Sequence, residues 1–251
     1  MFIFRYDLIE NLLKITQSKH LSLKMKEESI KRDLYPITVD SVIFGYSNSE
    51  LQVALVERNS DPFKGMWAIP GGFMEGQETA EETAQRELHE ETGIQDVYLE
   101  QFHVFTSHGR DPRGRSITVA FFALINSDNH HLIASGDASK AKWWPAYKIP
   151  KLAFKQNEMF DLALQALRVA MKNKPLAFKL LSQEFTLTEL QHLYEQVFNI
   201  KMDKRNFRRK VAKMGFIRSC GYKKEGLSHR PAELFKYDAA LHDEFLKENF
   251  F

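Results

Sequence analysis

The sequence predicts an α/β or α+β domain over about its first 155 residues, followed by a smaller helical domain with a β-like end. Three observations point to this. Runs rich in β-branched and aromatic residues alternate with one strongly charged helical stretch. An amphipathic helical pattern then leads to a Lys174-Pro175 step, where a boundary is expected. Beyond it, two amphipathic patterns flank a short turn and lead into β-like runs.

Taken in order, "ITVDSVIFGY" (Ile37–Tyr46) and "LQVALVER" (Leu51–Arg58) are strand-like around the turn "SNSE", so a hairpin is expected. "MWAIPGGF" reads as one short strand closed by Pro70 and two glycines. The glutamate-rich helix follows and ends at Gly93. "DVYLEQFHVFTSH" and "SITVAFFALI" are further strands joined by "GRDPRGR", and "AKWWPAYKIP" is a last strand and turn. "QNEMFDLALQALRVAMKN" is an amphipathic helix whose apolar surface is assigned mostly to Met159, Leu162, Leu164, Leu167, Val169 and Ala170.

Composition excludes several classes. The 251 residues are 43% hydrophobic and 27% charged, ordinary for a soluble globular protein. A net charge of +2 says nothing about partners by itself. The single cysteine, Cys220, allows no internal disulfide and suits a reducing, cytoplasmic compartment. No apolar run approaches the ~18 residues of a membrane span, so no membrane partner is expected. Residues 1–34 are expected to be an N-terminal extension. Their start is a poor secretory signal and a fair amphipathic helix.

The glutamate helix poses the chemical question. From Glu75 to Glu91 there are seven glutamates and one cation, Arg86. Like charges at i and i+4 oppose a helix. At about 100° per residue, Ala80, Ala84 and Leu88 form an inward stripe. Glu87 and Glu91 share that face, Glu90 flanks it, and Gln85 and His89 fall on the far side. Arg86 is expected to pair with Glu82 or Glu90 and cannot neutralise the set alone. A solvated acidic helix accounts for Glu81 and Glu82 but fits Glu87 and Glu91 badly. A hard divalent cation such as Mg²⁺ or Mn²⁺ accounts for them better, since it takes carboxylate and phosphate oxygens together.

Gly72, Glu78, Arg86-Glu87-Leu88, Glu90-Glu91, Gly93 and Ile94 fit the pattern G-x5-E-x7-R-E-U-x-E-E-x-G-U at every position. With seven fixed positions, a random window matches at roughly 10⁻⁹. In this the chain resembles the Nudix hydrolases. The resemblance implies the Nudix fold, a mixed sheet sandwiched by helices, and hydrolysis of a nucleoside diphosphate linked to another group. It makes Glu87, Glu90 and Glu91 metal ligands, Arg86 the residue that orients a carboxylate, and Glu78 a supporting acid. Gly71–Gly72 then lets the backbone approach the metal, with Gly72 counted among its ligands.

"SHGRDPRGRSITVAFFALI" resembles the segment of Nudix proteins that handle ADP-ribose, as do "PFKGMWAIPGGF" and "GDASKAKWWP". Arg110, Arg113 and Arg115 are donors suited to phosphate. With Arg58 and Asp111 they are the candidate substrate contacts. Phe63, Trp67 and Trp143 are candidate adenine stackers, although large aromatics are more often core. Asp137 is a candidate base.

In the second domain, Thr186 with Glu189 starts a helix as a capping box. Leu187, Leu190, Tyr194, Val197 and Phe198 form its apolar face. Asp203 caps a second helix with Phe207, Val211 and Met214 inward and Gly215 at its end. Seven basic residues and one acid lie between Lys201 and Lys213. Two helices around a turn, the second basic, suggest helix-turn-helix DNA binding through Lys204, Arg205, Arg208, Arg209 and Lys213. "FIRSCGY" and "AELFKYD" look like a wing. An accessory domain with a solvated basic helix is the alternative on charge alone.

The whole segment is similar to the C-terminal winged helix of Nudix-related transcriptional regulators of NAD metabolism, which sense ADP-ribose. That resemblance implies a repressor acting on operator DNA as a homodimer; since related regulators also sense sugars, a sugar-responsive regulator is one alternative, and a metabolic Nudix hydrolase whose C-terminal domain is only structural is the other. The expected organisation is a Nudix domain over 35–155, a connecting helix over 156–174, a winged helix over 175–238 and a tail over 239–251.

Overall fold

The computed structural model describes residues 34–95, 97–130, 132–134, 138–223 and 231–243. Most of the expected extension over residues 1–34, the candidate base Asp137, the wing loop 224–230 and the end of the tail lie outside the described residues.

The hairpin forms as expected. Strands β1 (Ile37–Ser47) and β2 (Glu50–Arg58) meet around Asn48 and Ser49, at φ 50° and 61°. Two successive positive φ values suit the right-handed twist of a two-residue hairpin loop. The strands then part. Phe44–Ser47 pairs with Val53–Glu50, whereas Thr38–Asp40 pairs with β4 (Gly71–Phe73) and Val56–Glu57 pairs with β3 (Trp67–Ala68). "MWAIPGGF" is therefore two short strands, not one. It fills the wedge between the diverging strands, crossing from β2 to β1 at Ile69-Pro70. Pro70 has no N–H to give a ladder, but its carbonyl accepts from Ser41 N at 2.9 Å.

Helix α1 (Ala80–Thr92) follows, then β5 (Tyr98–Phe105), β6 (Ile117–Asn126) and β7 (Ala138–Pro145). The main path of the sheet runs β3-β2-β1-β6-β5, with β7 on the other side of β2. Among the described strand pairs of this sheet only β1 and β6 run parallel, so the sheet is mixed. Both of its faces are covered. Ile43, Ala123 and Ile125 pack with Leu88 of α1. Their neighbours Val42, Phe44, Phe122 and Leu124 face the opposite way, onto helix α2 (Gln156–Asn173). Alternation with both faces buried explains why β1 and β6 read as continuous apolar runs.

Helix α2 buries Met159, Leu164, Leu167 and Ala170 as expected, together with Phe160, Ala163 and Met171. Leu162 and Val169 are instead exposed, at 36% and 60%. They lie seven positions apart on one flank, outside the stripe that meets the sheet.

Helix α3 (Ala177–Leu180), β8 (Glu184–Thr186), α4 (Leu187–Phe198), α5 (Lys204–Ala212), β9 (Ile217–Lys223) and β10 (Glu233–Tyr237) complete the chain. Strands β8-β10-β9 make a small antiparallel sheet. Thr186 and Glu189 form the expected capping box, and Asp203 caps α5 through Asn206 N. Helix α5 ends at Ala212 rather than near Gly215, because Lys213 N and Met214 N bond three residues back and tighten the last turn. No helix among the described residues is long and apolar enough to cross a membrane.

The sheet and the C-terminal helices share one core. Phe44, Leu55 and Phe122 belong to the same buried cluster as Leu167, Leu180, Leu193, Val197 and Val211. From Pro36 on, the described residues form one compact unit. Leu167 is fully buried at its centre, so Leu167→Ala should cost about 2–5 kcal/mol. Unfolding should also be a single transition. Tryptophan fluorescence reports only Trp67, Trp143 and Trp144 of the large sheet, while helical circular dichroism includes α4 and α5. The two denaturation curves should coincide; separated midpoints would contradict a shared core.

Candidate functional site

Helix α1 is fixed at both ends. Thr79 Oγ1 accepts from Glu82 N at 3.2 Å and Thr79 N donates to Glu82 Oε2 at 2.7 Å. At the other end Gly93 is left-handed, at φ 73°, and its N–H returns to His89 O. Ala84 and Leu88 face inward as their spacing predicts, joined by Thr83 and Thr92. Glu87 and Glu91 are half-buried and Glu90 is exposed. Because Glu82 is used in the cap, Arg86 does not pair with it.

Arg86 instead gathers three carboxylates. Its Nε and Nη2 bond both oxygens of Glu78 at 2.7 and 3.0 Å. Its Nη1 reaches Glu87 at 2.8 Å and Glu90 at 3.3 Å. Nη2 also donates to Phe73 O, tying α1 to β4. These hydrogen bonds hold the Glu78 carboxyl down at about 2. Burial pushes the Glu87 carboxyl up, against the pull of Arg86. Glu91 Oε2 accepts from Gly71 N at 2.9 Å.

The glycines are required by this approach. A Cβ on Gly72 would lie 2.1 Å from Glu87 Oε1, and one on Gly71 would lie 2.3 Å from Val39 O. Carboxylates are thus packed directly against bare backbone, with Gly71 N–H bonded to Glu91. A set of carboxylate oxygens suits a hard divalent cation. Among the described residues no three His, Cys, Asp or Glu groups stand already converged on one point. Arg86 draws Glu87 and Glu90 to itself, so a cation here competes with a guanidinium for the same oxygens.

Arg86, Glu87, Glu90 and Glu91 line a cleft of about 380 Å³. Arg58, Arg110 and Arg113 line the same cleft. Arg113 is held by Asp111 through both carboxylate oxygens, at 2.7 to 3.1 Å. Burial works to raise the Asp111 carboxyl, but the bonds from Arg113 bring it below its ordinary value. Arg110 Nη2 donates to Thr118 Oγ1 at 2.6 Å, while its buried Nε makes no hydrogen bond among the described residues. Arg58 donates to Pro62 O and Ser60 O. An orphaned donor on an arginine-rich wall fits an anionic ligand. Arg115 is not among the residues lining the cleft.

Three aromatic candidates pack elsewhere. Trp67 lies edge-on to Trp144, Phe63 meets Phe154, and Trp143 Nε1 donates to His130 O. The aromatic walls of the cleft are Phe73 and Phe154, each 5.6 Å from the Arg113 guanidinium. Phe154 and Lys155 are left-handed, at φ 50° and 57°. Such non-glycine strain is found preferentially at functional sites. No sequence pattern announced Phe154. Asp40 and Gln156 were missed as well. Asp40 is a carboxylate inside an apolar strand, a signal that was legible. It accepts from Gln156 Nε2 at 2.9 Å. Burial pushes its carboxyl up to about 6, partly offset by that bond.

A second charged surface lies on α5. Lys204, Arg205, Arg208, Arg209 and Lys210 are all exposed, while Val211 is buried and Phe207 packs on the core. Arg209 reaches only Asn206, and among the described residues Lys204, Arg205 and Arg208 make no ion pair. Lys213 is exposed at the C-cap. The turn before α5 is locked by buried Glu195, whose carboxylate accepts from Met202 N at 2.8 Å and Gln191 Nε2 at 3.0 Å. The basic face is therefore held rigidly outward.

The raised Asp40 carboxyl makes a pH prediction for the metal-free protein. Folded Asp40 releases its proton near pH 6, unfolded Asp40 near 3.8, so between them the folded state binds more protons. Stability from this group is lost as pH rises through that window, by roughly 3 kcal/mol in full. Asp40→Asn should match the wild type in denaturation free energy below pH 4 and exceed it at pH 7. Equal stabilities at both pH values would contradict the buried, raised carboxyl.

Comparison with known proteins agrees with this geometry. The NUDIX domain profile matches residues 35–163, and the profile of the NrtR DNA-binding winged helix domain matches residues 177–237. The ADPR responsive transcriptional repressor NtrR of Acinetobacter baylyi is 35% identical over 211 residues, covering 82% of this chain and 83% of its own. The ADP-ribose pyrophosphatase of Methanocaldococcus jannaschii is 35% identical over 145 residues, covering 57% of this chain and 82% of its own. Among solved structures, Shewanella oneidensis NrtR complexed with a 27mer DNA superimposes with a TM-score of 0.68 at 32% identity, over 82% of this chain and 95% of that one. A carboxylate-bearing helix packed on a mixed sheet, followed by an exposed basic helix and a small antiparallel sheet, agrees with these matches, which place this chain in the NUDIX family, among its members that carry an NrtR-type winged helix.

Proposed function

We propose that this chain is an ADP-ribose-responsive repressor of NAD-related genes that acts in the cytoplasm and retains ADP-ribose pyrophosphatase activity in the same cleft. One observation carries this reading: a cleft lined by Glu87, Glu90 and Glu91 together with Arg58, Arg110 and Arg113 belongs to a sheet that shares its core with an exposed basic helix.

In the hydrolytic reaction Glu87, Glu90, Glu91 and the backbone of Gly72 hold Mg²⁺, with Mn²⁺ as a substitute. The cation supplies neutralisation of the diphosphate and a lowered pKa for water. Arg58, Arg110 and Arg113 bind phosphate oxygens, with Asp111 keeping the Arg113 fork oriented. Arg86 and Glu78 set the angle of Glu87. Water attacks one phosphorus, the bridging P–O bond breaks, and AMP and ribose 5-phosphate leave. With Mg²⁺, Glu90→Gln and Glu91→Gln should each lose most turnover of ADP-ribose, while Glu81→Gln, exposed on α1, should change it little. Equal rates in all three would contradict the assignment.

For DNA, a dimer presenting two copies of α5 meets two half-sites of an approximately palindromic operator. Helix α2 links cleft and reader physically. Gln156 lines the cleft, and Arg168 Nε donates to Val197 O near the end of α4 at 2.7 Å. Tyr147 Oη donates to Gln196 O at 2.5 Å beside it. Ligand binding in the cleft weakens DNA binding only if the two favour different arrangements of this frame.

A plain metabolic hydrolase is the second reading, favoured by the same shared core, in which α4 acts as scaffold. Gel-shift and fluorescence titration with duplex from the gene's upstream region separate the two. ADP-ribose should weaken DNA binding by about 5–150-fold, the usual span of a coupling energy. Arg205→Ala with Arg208→Ala should weaken it further and flatten the salt dependence by about one unit per lost phosphate contact. A folded double variant with unchanged affinity and slope would favour the scaffold.

A further inference from the structure

We infer that Gln156 is a positioning residue for the glycine loop of the cleft, acting through Ile69–Gly72 on the acids of α1; this rests on the hydrolytic reading of that cleft. Gln156 is 4% exposed and begins α2, far in sequence from the loop it serves. Its amide is used at both ends. Oε1 accepts from Ile69 N at 2.9 Å, and Nε2 donates to Asp40 Oδ2 at 2.9 Å. It therefore ties β1 to the segment that crosses from β3 to β4.

That segment has no slack. Gly71 N donates to Glu91 at 2.9 Å. A Cβ on Gly71 would fall 2.6 Å from Asp40 Oδ1, and a Cβ on Gly72 would fall 2.1 Å from Glu87 Oε1. The loop is thus a single layer of backbone, with Asp40 against one side and Glu87 and Glu91 against the other. A shift of Ile69 carries Gly71 with it and moves both carboxylates. Gln156 is itself placed by the left-handed pair Phe154 and Lys155, which turns the chain into α2. Its position is thus set from the cleft wall.

The chemistry of the bridge permits a swap. With an acid at 40, residue 156 must present one donor and one acceptor, which an amide does. With asparagine at 40, a carboxylate at 156 meets both needs, accepting from Ile69 N and from the new amide.

The test uses the full chain at pH 8, where two carboxyls sharing a proton are disfavoured. Mn²⁺ affinity is read by calorimetric titration, and kcat and KM are read with ADP-ribose. Gln156→Met, which fills the space without either bond, should weaken Mn²⁺ binding about tenfold and lower kcat about tenfold with KM little changed, the usual effect of losing an outer support. Gln156→Glu alone should do the same. Asp40→Asn with Gln156→Glu should return both quantities to within about threefold of wild type, which a general loss of packing would not allow. Wild-type Mn²⁺ affinity in Gln156→Met, or a folded swap variant that stays impaired, would overturn the inference. A wild type that binds Mn²⁺ but turns over no ADP-ribose would remove the hydrolytic reading, and the Mn²⁺ series would still decide the role of Gln156.

Discussion

Strands β1 and β2 begin as a tight hairpin and cannot stay paired. Beyond Phe44 and Val53 their backbone donors and acceptors go to other partners, β4 on one strand and β3 on the other. A buried backbone that loses its ladder must find a new one. The segment from Trp67 to Phe73 meets that need for both strands, and doing so carries Gly71–Gly72 to the floor of the wedge. The remaining features of the cleft follow from there. The chain leaves β4 toward the cap at Thr79, α1 starts in a fixed phase, and its glutamates arrive against the glycine backbone.

The concentration of negative charge on α1 is tolerated because its members have separate duties. Glu82 closes the N-cap, Glu78 forms a paired bridge with Arg86, and Glu91 rests on a backbone N–H. Glu87 is held by Arg86 at the cost of partial desolvation. Arg58, Arg110 and Arg113 line the same cleft. The lining thus carries both signs of charge. A ligand that is itself divided, a cation beside a polyanion, matches that field far better than either ion alone. The electrostatics thus favour a metal–diphosphate pair as a unit.

Much of this was legible in the sequence, where chemistry depends on spacing within one element. The inward phase of Ala84, Leu88, Glu87 and Glu91, the Gly93 stop, both C-terminal helix caps and the basic face of α5 all follow from local geometry. What was not legible depends on pairing register. Asp40, Ile69 and Gln156 meet because β1 and β2 diverge and α2 begins after a left-handed turn, and no spacing rule connects those positions. The aromatic candidates stand outside the cleft lining for a related reason. Trp67 and Trp143 follow the alternation of their strands into apolar layers, whereas Phe73 and Phe154 stand at strand and turn ends where the alternation stops. Leu162 and Val169 looked inward only while the breadth of the face that α2 presents to the sheet was unknown.

The shared core has a consequence for the lifetime of the molecule. Separate domains on a linker would be cleaved or degraded independently, each according to its own opening equilibrium. Here Leu193 and Val197 beneath the basic helix belong to the same cluster as Phe44 and Phe122 of the sheet. Any ligand that occupies the cleft of the folded state lowers the population of open forms by mass action. Because opening the core exposes both parts together, that protection extends to α4 and α5. Occupancy of the cleft by a small molecule then also shields the basic helix from proteases.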